Sequence, residues 1–411
     1  MPIADLNHNS RQVAIANRKS TIGNRNRQST MTFNRHRDLF PTLASGIHLL
    51  SHSLGPVPRA VRDSMLAYCD AWEHHTSEDA WATSWWELSQ RVGDRLARIL
   101  GGEPGSVQIE PNASIALATV ASCFDFHSGH RNKVVTTALD FPSMEYIWDA
   151  QRQIGARVEV LKSHDDITVP VEKILDAIDE ETCLVALAHT SYRSSYRVDA
   201  RAIIERAHAH GALVLLDVYQ SAGVVPLQAA DWKVDFLIGG TIKWLCGGPS
   251  CGYLYVRPDL QKDLRPRLTG WVAHDAPFEF ASAPMRYARS VRRFAQGTPS
   301  IPALYSAIPG LDIIESVGIN EIAAESQRRT QLMIDFARER GWTINTPPEL
   351  ERRGGSVMIG VDNAKAVAEQ LAERRVFVDW RPGAGLRISP HFFNTDEEVE
   401  GALQILAGLI A

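Results

Sequence analysis

Short apolar runs recur along the chain from residue 133 to residue 256, and stretches with helical spacing lie between them. Runs that are apolar on both faces and joined by helices predict a mostly parallel sheet covered by helices on each side. The predicted fold class is therefore α/β, with a large domain built on this sheet. We place strands at Lys133–Ala138, Arg157–Leu161, Cys183–Ala188, Ala212–Asp217, Phe236–Gly239 and Tyr253–Val256, and helices at Ser143–Gln153, Val171–Asp179 and Ala200–His210.

The pattern changes after residue 300, which divides the chain into two domains. Residues 38–300 are predicted to form the large domain and residues 301–411 a small α+β domain. The small domain is predicted to contain a long helical region at Ile301–Arg340, a strand at Val357–Val361, a helix at Lys365–Arg374, two short strands near Phe377 and Leu386, and a last helix from Asp396.

The first 37 residues differ from the rest in composition. They are rich in Asn, Arg, Ser and Gln and poor in acidic and large apolar residues. Such a segment cannot offset its ordering entropy by burial, so residues 1–37 are predicted to be a disordered tail. A transit peptide is the alternative, and Met31 is a second candidate for the start of translation.

Charge and cysteine content limit the class of partner. The chain of 411 residues has 43 basic and 48 acidic residues, a net charge of −5, and therefore no overall positive field for nucleic acid or an anionic membrane. Its apolar runs are shorter than the ~20 residues that span a bilayer, and no export leader is recognisable. The five cysteines form no CxxC pair, which favours reduced thiols and the cytoplasm.

Two charged residues follow neighbouring predicted strands. Asp217 ends one strand, and Lys243 comes 26 residues later, just after the next. Ligands of open parallel sheets bind outside the carboxyl ends of the strands, so both side chains can face one cavity. An amine and a carboxylate are what pyridoxal phosphate needs, the first for a Schiff base and the second to keep its ring nitrogen protonated. On spacing alone, a structural ion pair with an incidental lysine remains open.

Seven segments in order carry a family resemblance. The chain after its tail resembles fold-type I pyridoxal phosphate enzymes of the class V aminotransferase group, especially the kynureninase-like branch. The resemblance also implies that residues 38–90 contribute to the small domain and to the rim of the active site. The matching segments are Leu49–Gly55, Trp72–Trp81, Thr137–Ser143, Leu216–Pro249, Gly270–His274, Phe294–Ser300 and Leu386–His391.

The resemblance assigns most site roles residue by residue. Lys243 would hold the cofactor as a Schiff base and move the Cα proton of the substrate. Phe141 would stack on the ring, Asp217 would pair with the ring nitrogen, and Gln220 would reach the 3′-oxygen. From the residues themselves, Ala113 and Ser114 follow Asn112 at a predicted helix start and would offer N–H groups and a hydroxyl to the phosphate.

The remaining implied residues concern the substrate and a second subunit. Arg387 would bind the carboxylate of an amino-acid substrate through its two-pronged guanidinium, and Ser53 lies in the loop that would contact the substrate. Trp271 would line the phosphate side, and Thr298 would reach across from a neighbouring subunit. The resemblance therefore implies a homodimer with shared active sites.

Departures from the family pattern guide the choice of reaction. Ile242, Gln220 and Met144 stand where kynureninases carry a tyrosine, a histidine and an aspartate. A cysteine desulfurase needs a thiolate before the carboxylate-binding arginine, and residues 376–385 contain no cysteine. We therefore favour transamination, keep a pyridoxal phosphate-dependent β-lyase or a kynureninase-like cleaving enzyme as the alternative, and note a noncatalytic scaffold of this fold as a third. No metal is predicted, and the substrate side chain stays open.

Overall fold

A computed structural model describes residues 36–75, 77–127 and 130–410 of the chain. Most of the predicted tail, with Met31, lies outside these residues. At the start of the described residues, the guanidinium of Arg37 forms an ion pair with Glu398 in the last helix. None of the helices in the described part combines the length and apolar content needed to cross a membrane.

The strands form one large sheet and two small ones. Seven of them make the large sheet, in the order β2-β8-β7-β6-β5-β3-β4. β3 to β7 are parallel to one another, whereas β8 is antiparallel to both β7 and β2. In chain order the strands are β1 Ile47–His48, β2 Val107–Glu110, β3 Lys133–Thr137, β4 Arg157–Leu161, β5 Thr182–Ala188, β6 Leu213–Asp217, β7 Phe236–Gly240, β8 Gly252–Val256, β9 Thr343–Ile344, β10 Val357–Gly360, β11 Val376–Phe377, β12 Asp379–Arg381 and β13 Gly385–Ile388.

The α/β fold class is confirmed, and the six predicted strands of the large sheet form within one residue of their expected ends. Their central members are buried on both faces, because helices pack on each side of the sheet. The resemblance to fold-type I enzymes implies a seven-stranded sheet, and seven strands are present. The seventh, β2, was not located in the sequence, since its four residues form an edge strand with one partner.

Twelve helices are present in the described residues. The predicted helical region 301–340 consists of two of them, because Gly318, at φ +89°, ends the first and begins the second. A π-helical turn at Trp81–Trp85 follows the second helix of the chain. The helices are Val61–His74, Ser77–Ala80, Leu88–Ile99, Ala113–Ala121, Pro142–Arg152, Val171–Asp176, Ala200–Ala209, Ala229–Trp232, Ile301–Val317, Ile319–Glu339, Ala364–Glu373 and Asp396–Ile410.

The C-terminal part contains an antiparallel sheet of four strands in the order β12-β13-β10-β9. β12 and β13 form a hairpin in which Asp379 is paired with Arg387. β1 pairs in parallel with β11, so a segment near the start of the described chain is attached to the C-terminal part. Residues 50–55 continue from β1 towards the end of β7. They therefore lie between the part built on the large sheet and the C-terminal part, which are the two parts of the protein.

Candidate active site

The ends of two neighbouring strands meet at a cavity of about 250 Å³. Asp217 is the last residue of β6, and Lys243 follows the end of β7 by three residues. The two strands are parallel neighbours, so both side chains reach the same edge of the sheet and line the cavity. Four further residues singled out in the sequence line it as well: Ala113, Ser114, Phe141 and Gln220.

The environment of Lys243 makes its amine less basic than that of a free lysine. Burial, together with the Arg387 and Arg381 cations, lowers the pKa of Lys243 to about 8, although the Asp217 carboxylate acts to raise it. Burial raises the pKa of Asp217, against the backbone N–H of Tyr219, which donates to Oδ1 at 2.8 Å, and against the Lys243 ammonium. An amine with a pKa near 8 is partly neutral at pH 7 and can take and return a proton.

The loop before the helix Ala113–Ala121 offers backbone donors to the cavity. The side chain of Asn112 caps this helix by accepting from the N–H of Ile115 at 3.0 Å, so the cap is Asn112 rather than Ser114. The first-turn N–H groups of Ala113 and Ser114 lie outside the hydrogen bonds of the helix itself. Gly252 permits the close approach of this loop to β8, because a Cβ there would lie 2.6 Å from the Cα of Asn112. This end of the cavity suits an anion.

Aromatic side chains form two walls of the cavity. The ring of Phe141 is partly exposed and lies 5.2 Å from the ring of Tyr192, centroid to centroid. Nζ of Lys243 lies 4.2 Å from the centroid of Tyr219 and 5.8 Å from that of Phe141. Tyr192 and Tyr219 were not singled out in the sequence. Tyr219, two residues after Asp217 on the same turn, could have been found from that spacing.

Gln220 is buried, and both ends of its amide are hydrogen bonded. Its Nε2 donates to the main-chain oxygen of His52 at 2.9 Å, and its Oε1 accepts from the indole N–H of Trp244 at 3.2 Å. One N–H of the amide remains for a ligand among the described residues. The structure therefore places Gln220 as a link between the loop at residue 52 and the lysine-bearing turn.

Arg387 is 2% exposed and already holds a carboxylate of the protein. Its Nε donates to Oδ1 of Asp379 at 2.7 Å, its Nη2 donates to Oδ2, and its Nη1 donates to the main-chain oxygen of Tyr192 at 2.9 Å. The sequence analysis did not single out Asp379. The signal was available, because Asp379 and Arg387 lie at equal distances from Gly383 at the centre of the hairpin.

Four residues that the sequence analysis assigned to the site do not line this cavity within one chain: Arg387, described above, and Thr298, Trp271 and Ser53. Thr298 lines a separate cavity of about 200 Å³ together with Glu110. Trp271 is 38% exposed, and its ring lies 5.8 Å from that of Trp86. Ser53 is half-buried next to His52, and its N–H donates to the carbonyl of a residue in its own loop.

Comparison with known proteins assigns the family. The aminotransferase class-V profile matches residues 49–401. The chain belongs to the class-V aminotransferase family. An uncharacterized aminotransferase, YcbU of Bacillus subtilis, is 32% identical over 91% of this chain and 97% of its own length. A kynureninase of Pseudomonas fluorescens is 31% identical over 89% of this chain and 89% of its own length.

Superposition on solved structures shows that the chain has the fold of the fold-type I enzymes. The apo cysteine desulfurase of Thermococcus onnurineus superposes with a TM-score of 0.81 at 21% identity, over 91% of this chain and 97% of that chain. A variant of C-DES with glycine covalently linked to its pyridoxal phosphate superposes equally well at 20% identity, over 90% and 98% of the two chains. This class-V protein is a pyridoxal phosphate-dependent enzyme.

The residues of the cavity fit this cofactor. An amine of lowered pKa stands beside a buried carboxylate, and unpaired backbone N–H groups lie at a helix start in the same cavity. An aldehyde, a ring nitrogen and a phosphate would each find a partner of the right chemistry there. Lys243, Asp217 and the pair Ala113 and Ser114 would hold these three groups.

The cysteines and a surface acidic cluster lie apart from this chemistry. All five cysteines are free. Burial raises the pKa of Cys251 to about 12 and that of Cys246 further, so these thiols near Lys243 stay protonated. Asp70, Glu73 and His74 come together on an exposed helix face. Exposed groups of this kind carry no assignment by themselves.

Proposed function

We propose that this class-V enzyme is an aminotransferase that acts on an α-amino acid and uses Lys243 to move the Cα proton. One observation carries the proposal: Lys243 is the only nitrogen base among the described residues that line the cavity, and its pKa is about 8. Transamination removes a proton from Cα and returns it to a carbon of the cofactor, so a single mobile base is sufficient.

The neighbouring side chains support this role. When bound, pyridoxal phosphate supplies an aldehyde for the amino group of the substrate and a ring that accepts electrons. The carboxylate of Asp217, which is oriented by the N–H of Tyr219, would pair with the protonated ring nitrogen. Ala113 and Ser114 bind the phosphate, Phe141 and Gln220 contact the ring, and Arg387 and Ser53 contact the substrate.

The lining of the cavity disfavours sulfur chemistry. None of the described residues that line it is a cysteine, and the segment 376–385 has none in the sequence. A desulfurase needs a thiolate that reaches the substrate, whereas Cys246 and Cys251 are buried with raised pKa values. The likeness to cysteine desulfurases is therefore one of fold.

A kynureninase-like lyase is the second candidate. The 31% identity with a kynureninase over 89% of each chain favours it. Ile242 counts against it, because an aliphatic side chain next to Lys243 cannot relay a proton to a γ-carbonyl.

A second copy of the chain completes the site in this proposal. Trp271, Phe278 and Phe280 are 38%, 56% and 75% exposed and form one aromatic face with Trp86. Large exposed apolar faces of this kind are typical of subunit interfaces. Thr298 is separated from the Lys243 cavity within one chain, which agrees with a role in the site of a neighbouring subunit. Five free cysteines agree with a cytoplasmic enzyme.

The test is a single-turnover experiment with the holoenzyme. Each of the twenty standard L-amino acids, and kynurenine, is added without an oxo-acid acceptor, and the cofactor and products are separated by chromatography. An aminotransferase yields one 2-oxo acid and one amine form of the cofactor per active site. Ammonia with pyruvate, or alanine from kynurenine, would instead show a lyase. Lys243→Ala is expected to yield none of these products.

A further inference from the structure

Arg387 is held by a buried network that joins both parts of the protein. Asp379 accepts from Nε and Nη2 of Arg387 on one side and lies 2.8 Å from Nε2 of His52 on the other. The other ring nitrogen of His52, Nδ1, contacts the hydroxyl of Ser389. The main-chain oxygen of His52 accepts from Gln220 in the Lys243 cavity. The network therefore runs from the arginine to the lysine-bearing turn.

The protonation state of this network follows from burial and charge. His52 is 1% exposed, and burial, helped by the Arg387 cation, lowers its pKa to about 4, so the ring is neutral at pH 7. A carboxylate can only accept, so the single N–H of the neutral ring is on Nε2 and donates to Asp379. Burial acts to raise the pKa of Asp379, but the hydrogen bonds from His52 and Arg387 outweigh it and hold that pKa well below its ordinary value.

Two N–H donors of the Arg387 guanidinium have no partner among the described residues and are left for a ligand. Arginine carries five N–H donors, and among the described residues three of them are used, two by Asp379 and one by the carbonyl of Tyr192. One N–H remains on each terminal nitrogen. Arg387 is not itself among the residues that line the Lys243 cavity, but Tyr192, whose main-chain oxygen accepts from it, does line that cavity.

We infer that Asp379 and His52 are positioning residues, which orient Arg387 so that its two free N–H donors bind the carboxylate of the substrate. This inference rests on the proposed amino-acid substrate. Asp379 occupies the Nε edge and fixes the plane of the guanidinium, and His52 fixes Asp379. The enzyme thereby distinguishes an amino acid from the amine that lacks its carboxylate, through residues that do not contact the substrate.

The same network couples the two ligand positions. A shift of His52 moves both its side-chain bond to Asp379 and its main-chain bond to Gln220. Carboxylate binding is therefore linked to the placement of the Gln220 amide, which lines the Lys243 cavity. Geometric control of this kind acts on the affinity for the substrate.

The experiment compares binding of matched ligands to the holoenzyme. The probes are the twenty standard L-amino acids and the amines that result from their decarboxylation, with the dissociation constant read from the change in cofactor absorbance. In the wild type, the tightest-binding amino acid should exceed its amine in affinity. Asp379→Asn and His52→Leu should weaken binding of the amino acid roughly 30-fold or more and leave the amine within about 3-fold.

Three variants separate positioning from a loss of folding. His52→Gln keeps an N–H donor in place of Nε2. It should therefore retain most of the preference for the amino acid over its amine that His52→Leu loses. Asp235→Asn disrupts another Asp–His pair, in which buried Asp235 lies 2.9 Å from His208 at the opposite end of β7, and should leave the preference unchanged. In an Arg387→Lys background, Asp379→Asn should have little further effect, because it acts through the arginine.

Two results would overturn the inference. One is a wild-type enzyme that binds no amino acid more tightly than its amine. The other is an Asp379→Asn variant that weakens amino acid and amine equally. Neither result depends on which product forms, so a lyase that kept the preference would refute transamination and leave the positioning role intact.

Discussion

The ammonium nitrogen of Lys243 lies 4.2 Å from the centre of the Tyr219 ring. The negative face of an aromatic ring stabilises a cation, by about 1 kcal/mol or more where water is excluded. Tyr219 therefore opposes the effect of burial, which lowers the pKa of Lys243 to about 8. The ring keeps the lysine basic enough to hold a proton between the two steps of a transfer.

Replacement of Tyr219 should make Lys243 less basic. Tyr219→Leu removes the ring and should lower the pKa of Lys243 by about half to one unit, whereas Tyr219→Phe, which keeps it, should have a smaller effect. The measurement is the pH dependence of labelling of Lys243 by an amine-selective reagent in the cofactor-free protein, followed by peptide mass spectrometry. An equal shift in both variants would assign the effect to the hydroxyl.

Two changes of charge should move the pH midpoint of Lys243 labelling in opposite directions. Asp217 acts to raise the pKa of Lys243 and Arg381 to lower it. Asp217→Asn should therefore move the labelling midpoint below about pH 8 and Arg381→Gln above it. The neutral amine reacts, so labelling at pH 7 should be faster in the first variant and slower in the second. Asp149→Asn, at an exposed site, is the control.

Catalysis should depend on the charge of Asp217 more than binding does. Asp217→Asn keeps an oxygen that can accept from Tyr219 but loses the negative charge. We expect kcat to fall by roughly 10³-fold, the scale of an essential electrostatic group, with the cofactor still bound. Steady-state rates and cofactor absorbance measure the two effects. A fall of less than 10-fold would contradict the assignment of Asp217 to the ring nitrogen.

Strand order and charge spacing predict the core of the site, but not its remote parts. Asp217 and Lys243 end neighbouring buried strands, so local patterns suffice to bring them together. His52 reaches Asp379 across 327 residues of chain, through the packing of the two parts of the protein, and no local pattern encodes such a contact. Asp379 could have been predicted from the sequence, because the hairpin centred on Gly383 pairs it with Arg387.

Acid should destabilise the protein in part through His391. This ring is buried and donates from Nε2 to the carbonyl of Trp244 at 2.9 Å. Burial lowers its pKa from 6.5 to about 3. The unfolded state takes up a proton below pH 6.5 and the folded state does not, so stability is full above that pH and is lost as the pH falls towards 3.

The size of this acid effect can be measured with one variant. As the pH falls from 7 to 5, the linkage to His391 should lower the free energy of unfolding by about 2 kcal/mol. His391→Gln keeps a donor for Trp244 and cannot titrate, so its stability should fall by that much less over the same interval. Urea denaturation of the holoenzyme at the two pH values gives the difference. Parallel losses in both proteins would show that His391 is not the group responsible.

A shared active site predicts complementation between two inactive variants. If Thr298 serves the Lys243 site of the neighbouring subunit, Lys243→Ala and Thr298→Glu are each inactive as homodimers, the second through repulsion of the cofactor phosphate. A mixed dimer contains one site with both defects and one with neither. The co-expressed mixture should therefore regain about one quarter of the wild-type activity, since half of the dimers are mixed and each has one intact site, and the mixed dimer purified through two different affinity tags should regain about one half. If Thr298 acted within its own chain, every site in the mixed dimer would carry one defect, and the purified mixed dimer would show no more activity than its parents.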